Sequence, residues 1–261
     1  MLLAVDVGNT QTHLGAFHRG ELAHEWRAST DPTRTADELA LMFGQFLSLA
    51  DLSFSRQITG VAISSVVPRA TQELREMTSR YFGFDSVVVE PGVKTGIAIL
   101  TDNPREVGAD RIANAVAAHD LFPDEAVVIV DFGTAITVDA VSAKGEYLGG
   151  AIAPGIETAA TALFSTTALI RRVELVEPPG SAIGKSTVTS VQSGIIYGTA
   201  GLVDALIEKI VDELGEDARV IATGGLAPVL LHHCRHLERL EPTLTLEGLR
   251  IIYERNAEGA R

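Results

Sequence analysis

Asp6-Val7-Gly8-Asn9-Thr10 stands near the start of the 261-residue chain, and Asp131-Phe132-Gly133-Thr134 repeats its outline near the middle. Each stretch follows a short apolar run, residues 2–5 and 126–130, and each precedes a second run with strand character, residues 13–17 and 136–141. The offset between the aspartates is 131 − 6 = 125 residues, close to half the chain. A unit of strand, Asp-x-Gly-polar turn and strand, repeated at half-length, predicts two similar α/β lobes facing each other across a cleft.

Outward from these turns the pattern keeps alternating between strand and helix. Leu39, Met42, Phe43, Phe46 and Leu47 recur at helical spacing and predict a helix over 35–49, followed by a strand over 60–64 that runs into Ser64-Ser65-Val66-Val67-Pro68. A helix over 71–81, a strand over 86–89 and a helix over 110–121 complete the first half. In the second half, residues 190–214 read as a long helix, 219–223 as a strand, Gly224-Gly225 as a tight turn and 246–255 as a terminal helix. The expected lobes are residues 1–118 and 119–261, with the boundary near 118–122 and no linker to mark it.

Apolar residues make up 46% of the chain and charged residues 21%, as in an ordinary globular protein. A formal charge of −13 repels the nucleic-acid backbone and anionic lipid, so neither is an expected partner. A nucleotide bound by such a protein must find positive potential locally, from backbone N–H groups, helix N-termini, a metal ion or a few basic side chains. The single Cys234 cannot form an internal disulfide, the opening Met1-Leu2-Leu3-Ala4-Val5 is cut off by Asp6, and no run approaches the length of a membrane span. The expected location is the cytoplasm.

The turn at Asp6 offers a carboxylate at a strand end, a glycine that lets backbone approach an anion, and polar side chains for phosphate oxygens. Gly-Asn is equally an ordinary two-residue hairpin loop, a reading that the second copy at Asp131 weakens. Two carboxylates facing each other across a cleft repel unless a cation lies near them, so Asp6 and Asp131 are expected to flank the Mg²⁺-phosphate end of ATP. Asp-Phe-Gly also occurs in protein kinases, but the Gly-rich loop, H-R-D and V-A-I-K patterns are missing. Gly184-Lys185-Ser186-Thr187 resembles the end of a P-loop, yet Pro179 stands where that pattern needs glycine, leaving a loop into the long helix with Thr187 available to a ligand.

Asp110 and Arg111, in Gly108-Ala109-Asp110-Arg111, open a helix. They read either as N-cap and surface charge, or as general base and clamp for a substrate carboxylate or phosphate. Residues 149–155, Gly-Gly-Ala-Ile-Ala-Pro-Gly, are too glycine-rich for a strand interior and suggest backbone packed against another strand or a ligand. Thr223-Gly224-Gly225 is either a plain strand-to-helix turn or a bed for an adenosine. His232 and His236 share a helix face in a predicted solvated helix, but no second ligand pair at zinc spacing accompanies them.

Taken in order, Asp6 to Thr10, Ser64 to Pro68, Asn103-Pro104 through Arg111, Asp131-Phe132-Gly133-Thr134-Ala135, Gly149 to Gly155 and Gly184 to Thr187 resemble the type III pantothenate kinases over most of the chain. The resemblance implies a pair of ribonuclease H-like, actin-like ATPase lobes and phosphorylation of pantothenate to 4′-phosphopantothenate, the first step of coenzyme A synthesis. It further implies a homodimer that uses ATP, Mg²⁺ and a monovalent cation, K⁺ or NH4⁺. By position, Asp6, Val7, Gly8, Asn9, Thr10, Gln11, Thr12 and His13 would form the first phosphate loop, with Asp6 at the metal, and Thr134 would contact ATP. Asp110 would accept the proton, and Gly108, Ala109, Asp110, Arg111 and Thr187 would contact pantothenate. Asp131 would hold the monovalent cation. The tyrosine that the family usually carries shortly before Gly108 is Thr101 here, which keeps a hydroxyl in the substrate wall but gives up most of the aromatic contact area. Two rivals use the same fold: a noncatalytic nucleotide-binding regulator similar to accessory transcription factors, and an ATPase or sugar kinase. Retention of Asp6, Asp110, Arg111 and Asp131 counts against the regulator.

Overall fold

The computed structural model describes residues 1–54, 56–167, 172–174 and 180–257. By its internal contacts the chain divides into two compact units. The first comprises Met1–Ile97, Asp102–Ala117 and the C-terminal segment from Leu244; the second comprises Ala98–Thr101 and Ala118–Thr243.

In the first unit β1 (Leu2–Val7), β2 (Gln11–His18), β3 (Glu21–Ser29), β4 (Gly60–Ser65) and β5 (Val87–Val88) form a sheet in the order β3-β2-β1-β4-β5. β1 runs antiparallel to β2 and parallel to β4. The strand period of two sends Leu3, Val5, Val7, Val61 and Ile63 to one face. There they pack with Leu39, Phe43 and Leu47 of α1 (Ala36–Leu49) and with Leu74 and Met77 of α2 (Pro68–Met77). Thr35 and Glu38 close α1 with a reciprocal capping box, and Pro68 occupies the first turn of α2, where its missing N–H costs nothing. A single π turn, Thr78–Phe82, continues α2 over the stretch where the pattern predicts one uninterrupted helix.

Two further helices belong to this unit in whole or part, α3 (Ala109–Leu121) and the C-terminal helix, numbered α7 (Leu244–Ala257). α7 packs on β1, β2 and β4, on the face that carries Ala4, Ala62 and Gly60. The expected second lobe, running unbroken from 119 to the C-terminus, therefore differs from the division observed. The apolar stripe of α7 is buried on the first sheet, with Leu246 against Gly15 and Tyr253 against Gly60.

The second unit has β6 (Ala98–Ile99), β7 (Ala126–Phe132), β8 (Ala135–Val141), β9 (Glu146–Pro154), β10 (Ala218–Thr223) and β11 (Arg239–Leu240), in the order β11-β10-β7-β8-β9-β6. Without the edge strand β6, this order reproduces the first sheet strand for strand, including the antiparallel β7-β8 pair and the parallel β7-β10 pair. The helices are α4 (Ile156–Thr166), α5 (Thr187–Leu214) and the short α6 (Ala227–Leu230). Ile196, Ala200, Val203 and Ile207 of α5 recur at helical spacing and cover Val128, Val130, Phe132, Val138 and Val220 of the sheet.

Residues 149–154 are strand interior after all. Gly150 lies opposite Asp139, and the close approach inferred from the glycines is to the backbone of β8, at a register shift between Ala140 and Val141. The predicted helix through His232 and His236 is a turn instead, because α6 ends at Leu230 and Asp204 of α5 accepts from the Arg235 N–H at 2.8 Å. Among the described residues no helix is long and apolar enough to cross a membrane.

Candidate active site

Asp6 sits near the carboxyl end of β1, half-buried, with His13 of β2 and Ser64 of β4 directly beside it in register. The three side chains form a row on the face opposite α1 and α2, because they alternate with Val5, Leu14 and Ile63, which point into the core. Beyond Val7 the chain turns through Gly8, Asn9 and Thr10, closed by the Gly8 N–H donating to the Gln11 carbonyl at 3.0 Å. Neither Gly8 nor Asn9 has a positive φ, so this is not the tight two-residue hairpin that Gly-Asn can form. The residues at the tip are Asn9 and Thr10 instead, and Asn9, Thr10 and Gln11 are exposed.

The rest of the predicted loop is turned inward. Thr12 is buried and shares a hydrogen bond of 2.9 Å with Thr30, and His13 is buried with its Nε2 2.9 Å from Glu25 Oε2. Burial, the largest influence, holds the His13 pKa below its ordinary value of 6.5, and the Glu25 hydrogen bond opposes it only in part. The folded protein thus takes up a proton at His13 less readily than the unfolded chain. Its stabilising contribution is complete above 6.5 and is lost as pH falls through the depressed folded value. The melting temperature is expected to fall as pH drops below 6.5, and His13→Gln to remove part of that fall. Parallel melting curves for the two proteins would show that His13 carries none of it.

Asp110 lies in the first turn of α3 and is not its N-cap; Gly108, ahead of the helix, accepts the first helical hydrogen bond from the Ile112 N–H at 3.1 Å. The half-buried Asp110 carboxylate accepts from the Arg111 N–H at 2.8 Å, and a Cβ at position 108 would lie 2.5 Å from its Oδ1. One turn further along α3, the buried Asn114 accepts from the Thr245 hydroxyl at 2.7 Å. α7 runs antiparallel to β1, since Tyr253 meets Gly60 while Leu246 meets Gly15, so Thr245 lies toward the end of the sheet where Asp6 is found. The α3 start is thereby tied to that end of the first unit.

In the second unit Asp131 occupies on β7 the place that Asp6 holds on β1, and Thr223 of β10 stands beside it in register as Ser64 stands beside Asp6. Gly133 and Thr134 make the turn into β8; the Thr134 carbonyl accepts from the Gly155 N–H at 3.2 Å and from the Thr158 hydroxyl at 2.7 Å, which ties the turn to the start of α4. Gly224 has a φ of +94°, and a Cβ there would meet Asp131 Oδ1 and the Phe132 backbone at 2.6 Å. The Thr223-Gly224-Gly225 turn is therefore a strand-to-helix turn pressed against the Asp131 turn. Thr187 is the exposed first residue of α5, whose N-cap Ser186 accepts from the Thr189 N–H at 3.2 Å. Pro179, the residue that breaks the P-loop pattern, lies outside the described residues. Thr101 follows β6 with its hydroxyl enclosed and its methyl beside Gly149.

Oxygen dominates these groups. The Asp131 carboxylate and the Phe132 carbonyl both lie against Gly224, a donor set suited to a hard cation. Among the described residues no cluster of three or more His, Cys, Asp or Glu is placed to hold a metal ion alone. A cation at these turns would draw its other oxygens from phosphate or water, as Mg²⁺ on a nucleotide does. The histidine turn is otherwise engaged, with His236 Nε2 3.0 Å from Glu208, and burial, with a smaller contribution from Asp204, pushes the Cys234 thiol up to about 12. In the sequence Ser64 figures only within a family motif and Thr223 only within a turn that could bed an adenosine; a hydroxyl beside the aspartate in each half is the signal that singles them out.

Residues 2–209 match the family model for type III pantothenate kinase. A type III pantothenate kinase of a Parafrankia species is 53% identical over 99% of both chains. Those of Streptomyces coelicolor and Moorella thermoacetica are each 52% identical, covering 98% of this chain and 98% and 100% of their own. Among solved structures, a Campylobacter jejuni protein described as a Baf family transcriptional activator superposes with a TM-score of 0.62 at 20% identity, over 98% of this chain and 99% of that one. A ROK family glucokinase from Streptomyces griseus does so with a TM-score of 0.54 at 14% identity, over 97% and 99%. These two likenesses show the fold, the two-lobed ribonuclease H-like fold of the actin-like sugar kinases.

Proposed function

The chain belongs to the type III pantothenate kinase family and is a kinase that uses ATP and a divalent metal; from that premise we propose how its residues make 4′-phosphopantothenate. The loop from Asp6 to His13 receives phosphate oxygens of ATP on its exposed backbone and on Asn9 and Thr10, and Thr134 makes a second ATP contact. Mg²⁺ carried with the triphosphate neutralises charge on the phosphate oxygens when bound. Asp6 faces that ion, and Asp131 with its oxygen neighbours holds a monovalent cation, K⁺ or NH4⁺.

Arg111 pairs with the pantothenate carboxylate, Gly108, Ala109, Thr101 and Thr187 line the substrate, and Asp110 accepts the proton of the primary hydroxyl as it attacks the γ-phosphorus. The observation that carries this assignment is the placement of Asp110 in the first turn of α3, with its carboxylate oriented by the Arg111 N–H and the helix tied through Asn114 and Thr245 to the Asp6 end of the first sheet. Exposed Leu148, Ile152, Val188 and Leu202 supply apolar surface of the kind a homodimer would cover. Cytoplasmic residence follows from the same metabolic reading. Membership in the family favours catalysis over the noncatalytic regulator. A coupled assay of ADP release tests both: release is expected with pantothenate and K⁺ together and not with a hexose, and hexose-dependent release would replace this function with a sugar kinase.

A further inference from the structure

Among the described residues few buried side-chain atoms lack a hydrogen-bond partner, and one of them is the Ser64 hydroxyl. Ser64 is 0% exposed. An unpaired hydroxyl in such a place is unfavourable for folding, because the group gives up water without a replacement. Alanine would pack there at no such cost, so folding alone does not account for serine. Its position does. Ser64 is in register with Asp6 across the parallel β1-β4 pair and shares its face, at the carboxyl ends of the strands, where open α/β sheets bind their ligands.

The second unit repeats the arrangement. Thr223, 3% exposed, is in register with Asp131 across the parallel β7-β10 pair. A buried hydroxyl thus flanks the strand-end aspartate in both halves, although the two strands share little else in sequence, Gly-Val-Ala-Ile-Ser-Ser against Ala-Arg-Val-Ile-Ala-Thr. Other buried hydroxyls of the first unit are engaged, Thr12 of β2 with Thr30 and Thr78 of the π turn with the Arg75 carbonyl.

We propose that Ser64 is a positioning residue for phosphoryl transfer: its hydroxyl donates a hydrogen bond to the Asp6 carboxylate when Mg·ATP is bound, fixing the rotamer in which Asp6 faces the metal-bound triphosphate. A carboxylate can accept about four hydrogen bonds, so this donor adds to the partners Asp6 already has. The unpaired hydroxyl of the ligand-free protein is then a donor held in reserve, stabilising only the loaded state. The inference rests on the placement of Asp6 at the triphosphate proposed above.

The test measures stability and Mg²⁺ dependence on the full-length protein. Ligand-free Ser64→Ala is expected to melt at or above wild type, by up to about 4 °C, because the unsatisfied group is gone. Its kcat/KM for Mg·ATP is expected to fall by roughly tenfold, with a raised Mg²⁺ requirement and an unchanged KM for pantothenate. Wild-type Mg²⁺ dependence and kcat/KM in Ser64→Ala would overturn the proposal. Should the alanine variant melt below wild type, Ser64→Cys, which fills the same space with a weak donor, decides by the same kinetic criteria. Asp6→Asn separates the two levels: wild-type Mg·ATP kinetics there would remove the triphosphate from Asp6, whereas a collapse in Asp6→Asn with none in the Ser64 variants would remove only the role of Ser64.

Discussion

Asp110→Asn is expected to lower kcat by roughly two to four orders of magnitude, the usual scale for loss of a general base. The substitution is nearly isosteric, and an amide oxygen can still accept from the Arg111 N–H that orients the carboxylate at 2.8 Å. The first turn of α3 and its ties to α7 therefore survive. What disappears is a group able to take a proton from the pantothenate hydroxyl as it attacks. Steady-state turnover together with calorimetric ATP binding checks this. Binding is expected to stay within about twofold of wild type while turnover collapses, the pattern of an interaction made only in the transition state. Near-full turnover would remove Asp110 from the mechanism.

Arg111→Ala is expected to raise the KM for pantothenate by roughly 10- to 100-fold with little change in kcat, because a charge-assisted, bidentate contact to a carboxylate is worth about 1.5–3 kcal/mol in both ground and transition states. Arg111→Lys is expected to fall between the two, since a lysine keeps the charge but not the planar fork. Kinetics with pantothenate varied at saturating ATP separate the two parameters. An unchanged KM in the alanine variant would exclude Arg111 as the carboxylate clamp and leave the substrate acid to Thr187 or to backbone N–H groups.

Much of the scaffold is legible along the chain because its signals are local. The two Asp-x-Gly turns, the helical spacing of Leu39, Phe43 and Leu47, and the apolar run 126–130 each depend on neighbours within a few residues. β3 escapes this kind of reading: its nine residues include His24, Glu25 and Arg27, as suits an edge strand with one face in water, so no apolar run announces it. The glycines at 149 and 150 mislead in the other direction, since a strand interior tolerates them where a neighbouring backbone comes close. His232 and His236 keep helical spacing in a segment that Asp204 holds as a turn, a tertiary contact overriding a local pattern.

The aspartates of the two turns, the Gly-Ala-Asp-Arg segment and the half-length repeat are properties of the linear chain, readable because strand-turn-strand units are specified by adjacent residues. Strand order, the docking of the C-terminal helix on the first sheet, and the pairing of Ser64 with Asp6 and Thr223 with Asp131 are decided only in three dimensions. Register between parallel strands joins residues far apart in sequence and is selected by which faces can be buried together, so a hydroxyl acquires its neighbour from the packing of the whole sheet and from nothing in its own segment.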